Sequence, residues 1–420
     1  MNYYFNKTQN VILIFIILYI SLIIGFIFNE NLNYGAKPDW FSGDLPVIRD
    51  LSINLKGTLL NYDNYAHRHS PVYLVFLSFF KSFGISFDII RLFHLNISIL
   101  LIYFFYKCLS LKFDYIERNL LLILSFSIFL SPTFRSLAIW PSSRIIGLLF
   151  FTISILEFLK YLKFDKKKYI WKNTIFLIIA SYISPNFSLF IIFFGYHYFK
   201  KCNIKDLIYL YLFCLFSSIP VFYYLFVLDI NFLMVNTPGS VPGENISLSF
   251  NYSDKILIIN SIILFHFLPF IVNKIFMQKM IMSFKNNILV ISMIFLTLVY
   301  FFNYQMSFTG GGIFFQISNI FLKNNIIFYF FSFISLILIF FFSKYNFGNF
   351  IIFLILIISN IQNTIYHKYY DPLLMILFFS LLVIPDDFKY FNKKNNVLIV
   401  YFFYIFYIFF RIAKNTFLTT

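Results

Sequence analysis

A polar stretch near the N-terminus holds the carboxylates with the clearest chemical potential. Residues 39–50 read DWFSGDLPVIRD and include Asp44 and Asp50. A carboxylate placed shortly after a membrane helix can act as a general base, or bind a cation, at the boundary between water and membrane. Asp44 and Asp50 are therefore candidate catalytic residues. The structural alternative is that Asp44 is a helix N-cap, because a Gly-Asp pair followed by Leu and Pro46 also suits the start of a helix.

Three basic or titratable residues, His67, Arg68 and His69, directly precede the next apolar run. Two histidines spaced two apart can bind a metal or a phosphate. A guanidinium can hold a phosphate through two parallel hydrogen bonds, which makes Arg68 the most suggestive of the three. The alternative is a solvated anchor at the membrane interface.

Further cations lie in two short turns between apolar runs. Arg135 and Arg144 flank a Trp-Pro pair, and residues 367–372 contain Lys368 close to Asp371. Charges this near to hydrocarbon are costly unless they pair with each other or with a ligand such as a lipid headgroup or a lipid-linked pyrophosphate. Generic headgroup contact and structural pairing are the alternatives. The predicted substrate-binding residues are His67, Arg68, His69, Arg135, Arg144 and Lys368.

The elements that must position these residues are membrane helices. The chain has 420 residues, of which 60% are hydrophobic and 12% charged, with a mean hydropathy of +0.81. Soluble domains carry about 25% charged residues. The apolar runs approach the roughly 17–25 residues that a spanning helix needs. We therefore predict an all-α, polytopic transmembrane bundle, and the continuous apolar runs exclude an outer-membrane barrel.

The hydropathy pattern predicts about 13 spans and a large first external loop, 29–87, with interfacial helices. The run Val72–Phe83 is too short to cross the membrane, so it is predicted to lie in the interface. This choice places the next span inward and puts Lys107, Lys112 and Arg118 in the cytoplasm. The predicted spans are 11–28, 89–106, 119–132, 143–161, 169–183, 187–199, 207–228, 256–273, 286–303, 326–343, 349–366, 371–385 and 396–412.

The net charge of +16 arises from 33 Lys and Arg against 17 Asp and Glu. Most of these cations, including the densest run at 166–168, fall in predicted cytoplasmic segments, as the positive-inside rule expects. The charge is therefore topological, and no nucleic-acid partner is predicted. The long polar segments 29–87, 228–255 and 304–325 all fall on the opposite face, so chemistry that needs water is predicted outside the cytoplasm.

The first 165 residues resemble the GT-C superfamily of integral-membrane glycosyltransferases in the order of their features. Members have an N-terminal helix, an external loop that opens with an acidic motif, and helices along the membrane. The matching residues are Gly43-Asp44-Leu45, His69-Ser70-Pro71-Val72-Tyr73, Phe83-Gly84, Arg91-Leu92, Ser131-Pro132 and Pro141. The resemblance implies one integral-membrane domain over 1–420, in which 1–165 is the shared module and 166–420 holds variable helices.

In that superfamily the acidic residue of the loop is the catalytic base or a metal ligand, which implies one of these roles for Asp44. The second acidic position is Leu45 here, so the cofactor stays open, a divalent cation being one option. The implied function is transfer of a sugar from a polyprenyl-phosphate-linked donor to a lipid, glycan or protein acceptor. The implied location is the external face of the bacterial cytoplasmic membrane, in contact with membrane lipids.

Two other functions are compatible with a polytopic membrane chain. An O-antigen-type polysaccharide polymerase or ligase would place external Arg and His in a large late loop, whereas segments 228–255 and 304–325 carry few cations. A non-enzymatic flippase or transporter of lipid-linked glycans would place ionisable residues inside its spans. The apolar runs contain few of these.

Overall fold

A computed structural model describes residues 8–33, 35–65, 70–227, 237–238, 245–271, 274–307, 310–385 and 394–417. The predicted substrate-binding residues His67, Arg68 and His69 lie outside these ranges. The contact pattern divides the chain into two compact units. The N-terminal unit comprises residues 1–247 and 408–420, and the C-terminal unit comprises residues 248–407. The extent of the shared module, 1–165 within one integral-membrane domain, stays a prediction.

The N-terminal unit is built from helices, as predicted, with a single two-residue strand pair among its described residues. Its α-helices are α1 Thr8–Ile27, α2 Ala36–Pro38, α3 Leu45–Ile53, α4 Leu55–Leu60, α5 Pro71–Ser82, α6 Phe87–Lys112, α7 Arg118–Phe126, α8 Pro132–Ile139, α9 Ser143–Phe164, α10 Lys167–Ile183, α11 Phe190–Lys201, α12 Ile204–Ser217 and α13 Ile219–Phe226. A π-helix spans Asp39–Asp44, and 3₁₀ turns span Tyr62–Asn64, Ser127–Leu130 and Pro185–Phe187. The antiparallel strands are β1 Thr237–Pro238 and β2 Asn245–Ile246.

The C-terminal unit is also helical. Its helices are α14 Tyr252–Ile271, α15 Lys274–Lys285, α16 Ile288–Tyr300, α17 Gly312–Leu322, α18 Ile326–Tyr345, α19 Phe347–Ile358, the 3₁₀ turn His367–Tyr369, α20 Leu373–Ser380 and the first part of α21 Lys394–Phe417. The last residues of α21, from 408 onward, belong to the N-terminal unit. There Arg411 donates from Nε to the carbonyl of Leu32 at 3.0 Å.

Several of these helices have the length and composition of membrane spans, which indicates a membrane protein. Over the described ranges, seven helices qualify, or nine if each of two bent helix pairs counts as one span. The predicted count of 13 is therefore not confirmed. The apolar runs at 187–199, 349–366 and 371–385 form helices of only 12, 12 and 8 residues. Helix α5 also has 12 residues, consistent with the prediction that Val72–Phe83 does not cross.

Local sequence explains why one apolar run breaks. The run that begins with α7 continues through the 3₁₀ turn Ser127–Leu130 and then bends by 67° into α8. Pro132 occupies the first turn of α8, and Ser131 accepts a hydrogen bond from the backbone N–H of Phe134 at 3.0 Å. Serine as N-cap followed by proline is a strong helix start, so it begins a new helix in the middle of the apolar run.

The lysines gather at one end of the N-terminal unit. Lys163 at the end of α9 pairs with Asp114 at 2.9 Å, and Lys167 at the start of α10 pairs with Asp206 at 2.7 Å. Helix α6 ends at this side with Lys112. At 1.5 Å per residue, Lys112 is roughly 27 Å along the helix axis from His94, which interacts electrostatically with Asp44. The unit therefore has a lysine-rich end and, far along α6, an end that holds the acidic stretch 39–50.

The C-terminal unit contains a stretch of buried backbone that is not an α-helix. Residues 359–372, here called the break, separate α19 from α20. Neighbouring segments satisfy its backbone groups: Ser249 donates to the carbonyl of Ile361 at 3.0 Å, and Gly311 donates to that of Ile365 at 3.1 Å. Irregular backbone is tolerated at membrane depth only where protein surrounds it or where it lines a cavity. The break is thus a structured part of the bundle.

Candidate functional site

Asp44 lies at the junction of the π-helix Asp39–Asp44 and α3. Pro46 has no N–H to donate to the preceding turn and its ring crowds that turn, which is a physical cause for the wider π geometry just before it. The backbone of Asp44 is helical, with φ −70° and ψ −43°, and its side chain makes no capping hydrogen bond to α3. The N-cap alternative for Asp44 is therefore wrong. π-Helical turns occur frequently at functional sites.

Asp44 is 1% exposed and lies among two tyrosines and a histidine. Tyr62, Tyr73 and His94 are all buried, and Asp44 interacts electrostatically with each of them. We call these four residues the Asp44 cluster. Burial, followed by the nearby charge of Asp44, raises the pKa of Tyr62 and of Tyr73 well above the usual value. Both phenols therefore keep their protons at neutral pH and can donate hydrogen bonds.

The tautomer of His94 follows from its two partners. Its Nε2 lies 2.8 Å from the carbonyl oxygen of Leu137, and its Nδ1 lies 2.5 Å from the hydroxyl of Tyr73. A carbonyl can only accept, so Nε2 carries the proton. In the neutral ring Nδ1 is then an acceptor, and the Tyr73 hydroxyl donates to it. The two side chains fix each other and join α5, α6 and α8 beside Asp44.

Asp50 belongs to a different and more exposed environment. Its side chain is 35% exposed, accepts a hydrogen bond from the Tyr65 hydroxyl at 2.7 Å, and pairs with Arg49 at 3.2 Å. Burial and the hydrogen bond to Asp50 raise the pKa of Tyr65.

Within the part of the chain that the structure describes, no group of three or more His, Cys, Asp or Glu could hold a metal ion. The cofactor stays open, with a divalent cation as one option.

Arg135 is held by protein acceptors. Its Nε and Nη2 donate to the two carboxylate oxygens of Glu30 at 2.7 and 2.6 Å. Its remaining donors reach Ser21 Oγ at 3.1 Å, the Ser21 carbonyl at 3.0 Å and the Phe129 carbonyl at 3.5 Å. All five guanidinium N–H groups are used. In this structure Arg135 ties α8 to the end of α1, and its predicted binding of a substrate phosphate stays a prediction.

Gly25 makes room for this ion pair. A Cβ atom at position 25 would lie 2.6 Å from Glu30 Oε2 and 3.0 Å from Arg135 Nη2. The glycine therefore allows the carboxylate and guanidinium to pack directly on the backbone of α1.

Arg91 supports the same region from α6. Its guanidinium carbon lies 3.9 Å from the centre of the Trp140 ring, and its Nη1 pairs with Asp88 at 3.1 Å. Its Nη2 donates to Asn29 Oδ1 at 3.0 Å. These contacts bind the start of α6 to the end of α1 and to the turn after α8. The resemblance identified Arg91 only as part of a motif at the start of a span.

The other two predicted cations lie in different places. Arg144 is partly exposed at the start of α9, with its guanidinium carbon 4.7 Å from the centre of the Phe187 ring. Lys368 belongs to the C-terminal unit, in the break, with its ammonium 5.1 Å from the centre of the Tyr366 ring. Each remains a predicted phosphate-binding residue.

The sequence interpretation did not select Tyr62, Tyr73 or His94 as site residues. A usable signal existed for His94, because a histidine in an otherwise apolar span is uncommon and is a functional candidate by default. Tyr73 stood in the motif that carried the resemblance, and Tyr62 had no signal beyond its position in the polar segment.

The chain has no match in any of three comparisons, with models of protein families, with curated proteins and with solved structures.

Proposed function

We propose that this chain is a membrane glycosyltransferase that moves a sugar from a polyprenyl-phosphate-linked donor to a lipid, glycan or protein acceptor. The single observation that carries the proposal is the burial of Asp44 beside two tyrosines and a histidine, in the segment that joins two apolar helices. The resemblance of the first 165 residues to the GT-C superfamily supports the same role for this aspartate.

The surroundings of Asp44 suit a general base. A carboxylate enclosed by protein interacts more strongly with a substrate proton than one in water, because the local dielectric is low. Tyr62 and Tyr73 stay protonated, so neither competes for the substrate proton. The Tyr62 hydroxyl can donate a hydrogen bond to negative charge, whereas the Tyr73 hydroxyl donates to His94 Nδ1. The pair of Tyr73 and His94 acts as a positioning element, because it joins three helices next to the carboxylate.

In the proposed reaction Asp44 accepts the proton of an acceptor hydroxyl. The hydroxyl oxygen forms a bond to carbon 1 of the donor sugar, and the bond between that carbon and the phosphate oxygen breaks. The polyprenyl phosphate leaves with the bonding electrons. General-base catalysis of this kind contributes about 100- to 10,000-fold to the rate.

The leaving phosphate needs cationic partners. Arg68 is the first candidate by its position in the sequence, with His67 and His69 beside it, and Arg144 is another. Lys368 belongs to the C-terminal unit and stays a separate phosphate-binding prediction. Arg135 is left out of this set because Glu30 and backbone carbonyls use its donors. Asp50, which binds Tyr65, is a second carboxylate in the same segment and remains a candidate for orienting the acceptor.

The proposed topology places the lysine-rich end of the N-terminal unit in the cytoplasm and the Asp44 cluster near the external face of the bacterial cytoplasmic membrane. The positive-inside rule supports this orientation. A count near 13 spans belongs to the same proposal. A site at the membrane surface suits the donor, since its polyprenyl tail stays in the lipid while its phosphate and sugar reach the interface.

The test is Asp44→Asn in full-length protein reconstituted with radiolabelled polyprenyl-phosphate hexoses and pentoses. Release of polyprenyl phosphate is the readout, because slow transfer to water reports on the donor without a known acceptor. We expect a loss of about 100- to 10,000-fold. The matched control is Asp63→Asn, which removes an exposed carboxylate of the same segment. Equal activity in wild type and Asp44→Asn would contradict the role of Asp44.

A flippase or transporter is the second candidate, and the break between α19 and α20 favours it. Interrupted helices line the binding sites of many transporters. Movement of an intact lipid-linked glycan across the reconstituted bilayer, without cleavage of the donor in any variant, would replace the enzyme proposal with this one.

A further inference from the structure

The C-terminal unit buries two histidines and a tyrosine against each other. His266 comes from α14, His367 from the break and Tyr407 from α21, and they are 3%, 6% and 1% exposed. We call these three residues the histidine cluster. Phe265 packs against all three residues. The centre of its ring lies 5.2 Å from the ring centre of His266, 5.8 Å from that of His367 and 5.1 Å from that of Tyr407. Polar groups enclosed this fully in an apolar bundle are costly unless they are bound to something.

Their polar atoms converge on one region. His266 Nε2 lies 3.4 Å from His367 Nδ1, and the Tyr407 hydroxyl lies 3.2 Å from the same nitrogen. The three ring centres form a nearly even triangle, with sides of 5.3, 5.9 and 5.9 Å. His266 Nε2 and the Tyr407 hydroxyl therefore both lie close to His367 Nδ1.

His367 Nδ1 lies within reach of two polar atoms, His266 Nε2 and Tyr407 Oη. An imidazole nitrogen has either one proton to donate or one lone pair that accepts. His367 Nδ1 can therefore make a hydrogen bond with His266 or with Tyr407, but its single proton or lone pair does not serve both. A metal ion between the three atoms would satisfy all of them at once.

The distances suit such an ion. Nitrogens bound about 2.0–2.1 Å from a tetrahedral Zn²⁺ lie about 3.4 Å from each other. This is the separation of His266 Nε2 and His367 Nδ1. Imidazole and phenolate are ligands for zinc and its neighbours in the first transition series. A set of three protein ligands leaves the fourth tetrahedral position for water or a substrate atom.

The charge of the ligands is also compatible with a cation in the buried histidine cluster. The Tyr407 phenol loses its proton to water when it binds a metal, so it contributes one negative charge. Asp371 lies four residues after His367 in the same break and is buried. The phenolate offsets half of the charge of a divalent cation, which lowers the cost of placing it in an apolar bundle.

We infer that the histidine cluster is a binding site for a divalent transition-metal ion of the zinc class, held by His266 Nε2, His367 Nδ1 and Tyr407 Oη. The inference rests on the C-terminal unit alone and does not depend on the proposed function.

The test uses full-length protein purified in detergent with an affinity tag that contains no histidine. Metal content is measured by mass spectrometry, and the metal-free protein is titrated with Zn²⁺ and with Co²⁺, whose visible absorption reports tetrahedral coordination. We expect one Zn²⁺ per chain. His266→Gln and His367→Gln should each raise the Kd at least about 100-fold, and Tyr407→Phe about 10-fold or more.

The control is His197→Gln, because His197 is also a histidine among aromatic rings, 4.7 Å from Phe193 and 5.2 Å from Phe158 by ring centres. It should bind metal as the wild type does. Wild-type protein that takes up neither ion would overturn the inference, as would unchanged affinity in the cluster variants. If the histidine variants do not elute as folded protein, Tyr407→Phe, which keeps its ring, decides the question.

Discussion

The Asp44 cluster and the histidine cluster bury similar side chains in different ways. The Asp44 cluster is assembled from short helical segments between α1 and α6 and from α6 itself, with all four members within the first hundred residues. Its carboxylate interacts electrostatically with the other three side chains. The histidine cluster joins α14, the break and α21, which are far apart in sequence. The first arrangement suits proton transfer at a carboxylate, and the second suits coordination by neutral rings and a phenolate. Similar residue types therefore support different chemistry according to which atoms converge.

The frameworks around the two clusters also differ. In the N-terminal unit, Glu30 and Arg135 form an ion pair that ties α8 to the end of α1, with the guanidinium 6% and the carboxylate 21% exposed. Around the histidine cluster the neighbouring side chains are mainly aromatic, including Phe265 and Phe403. The N-terminal unit should therefore depend more strongly on a single ionic contact.

The largest effect on stability is expected from Arg135→Met. It leaves the Glu30 carboxylate in a mostly buried place without its guanidinium, which should cost about 3–5 kcal/mol. Thermal and denaturant unfolding in detergent measure the change. Arg49→Met is the matched control, because Arg49 forms an exposed pair with Asp50 that should contribute less than about 1 kcal/mol. Equal losses for the two variants would contradict the structural role of Arg135.

A smaller effect is expected when Tyr73 is replaced by Phe. The change removes the hydroxyl that donates to His94 Nδ1 and leaves a buried acceptor, at a cost of about 1–3 kcal/mol. Transfer activity should fall about 10-fold, since Asp44 stays in place but loses part of its support.

The same chemical change at Tyr407 sharpens the comparison. Tyr73→Phe should lower activity and leave metal content unchanged, whereas Tyr407→Phe should weaken metal binding. If Tyr73→Phe removed the metal, the two clusters could not be independent sites.

The smallest effect is expected at the lysine-rich end. The hydrogen bond and charge of Lys163 lower the pKa of Asp114. The pair therefore stabilises the fold above the unfolded pKa of Asp, near 3.9, and this contribution is lost as pH falls through the lower folded value. Asp114→Asn should cause a slight loss at neutral pH that disappears in acid and in high salt. Unfolding midpoints measured against pH and salt test this, and a salt-independent loss would contradict it.

The fold class and part of the candidate site could be predicted from the sequence. Continuous apolar runs were enough to predict a helical membrane protein. Asp44 stood out because a carboxylate in a polar segment after an apolar helix is a local pattern. Its neighbours were harder to predict, because Tyr62, Tyr73 and His94 meet only when three separate helices pack together.

Other features depend on tertiary contacts that a linear pattern does not contain. Arg135 pairs with Glu30, which lies more than a hundred positions away in the sequence. From the sequence alone, Arg135 was therefore interpreted as an external cation without a protein partner. The structure has fewer long helices than the predicted spans, because several apolar runs contain helix ends. A hydropathy pattern does not detect a helix cap such as Ser131-Pro132. The histidine cluster was invisible for the same reason: its members are spread over α14, the break and α21.

The most direct test of the central claim is a cryo-electron microscopy structure of the Asp44→Asn protein with a bound polyprenyl-phosphate hexose. The variant should trap the donor uncleaved. We predict that carbon 1 of the sugar lies beside position 44, with room between them for an acceptor hydroxyl, and that the phosphate contacts Arg68 or Arg144. A donor sugar bound within the C-terminal unit, with position 44 still enclosed by Tyr62 and Tyr73, would contradict the account.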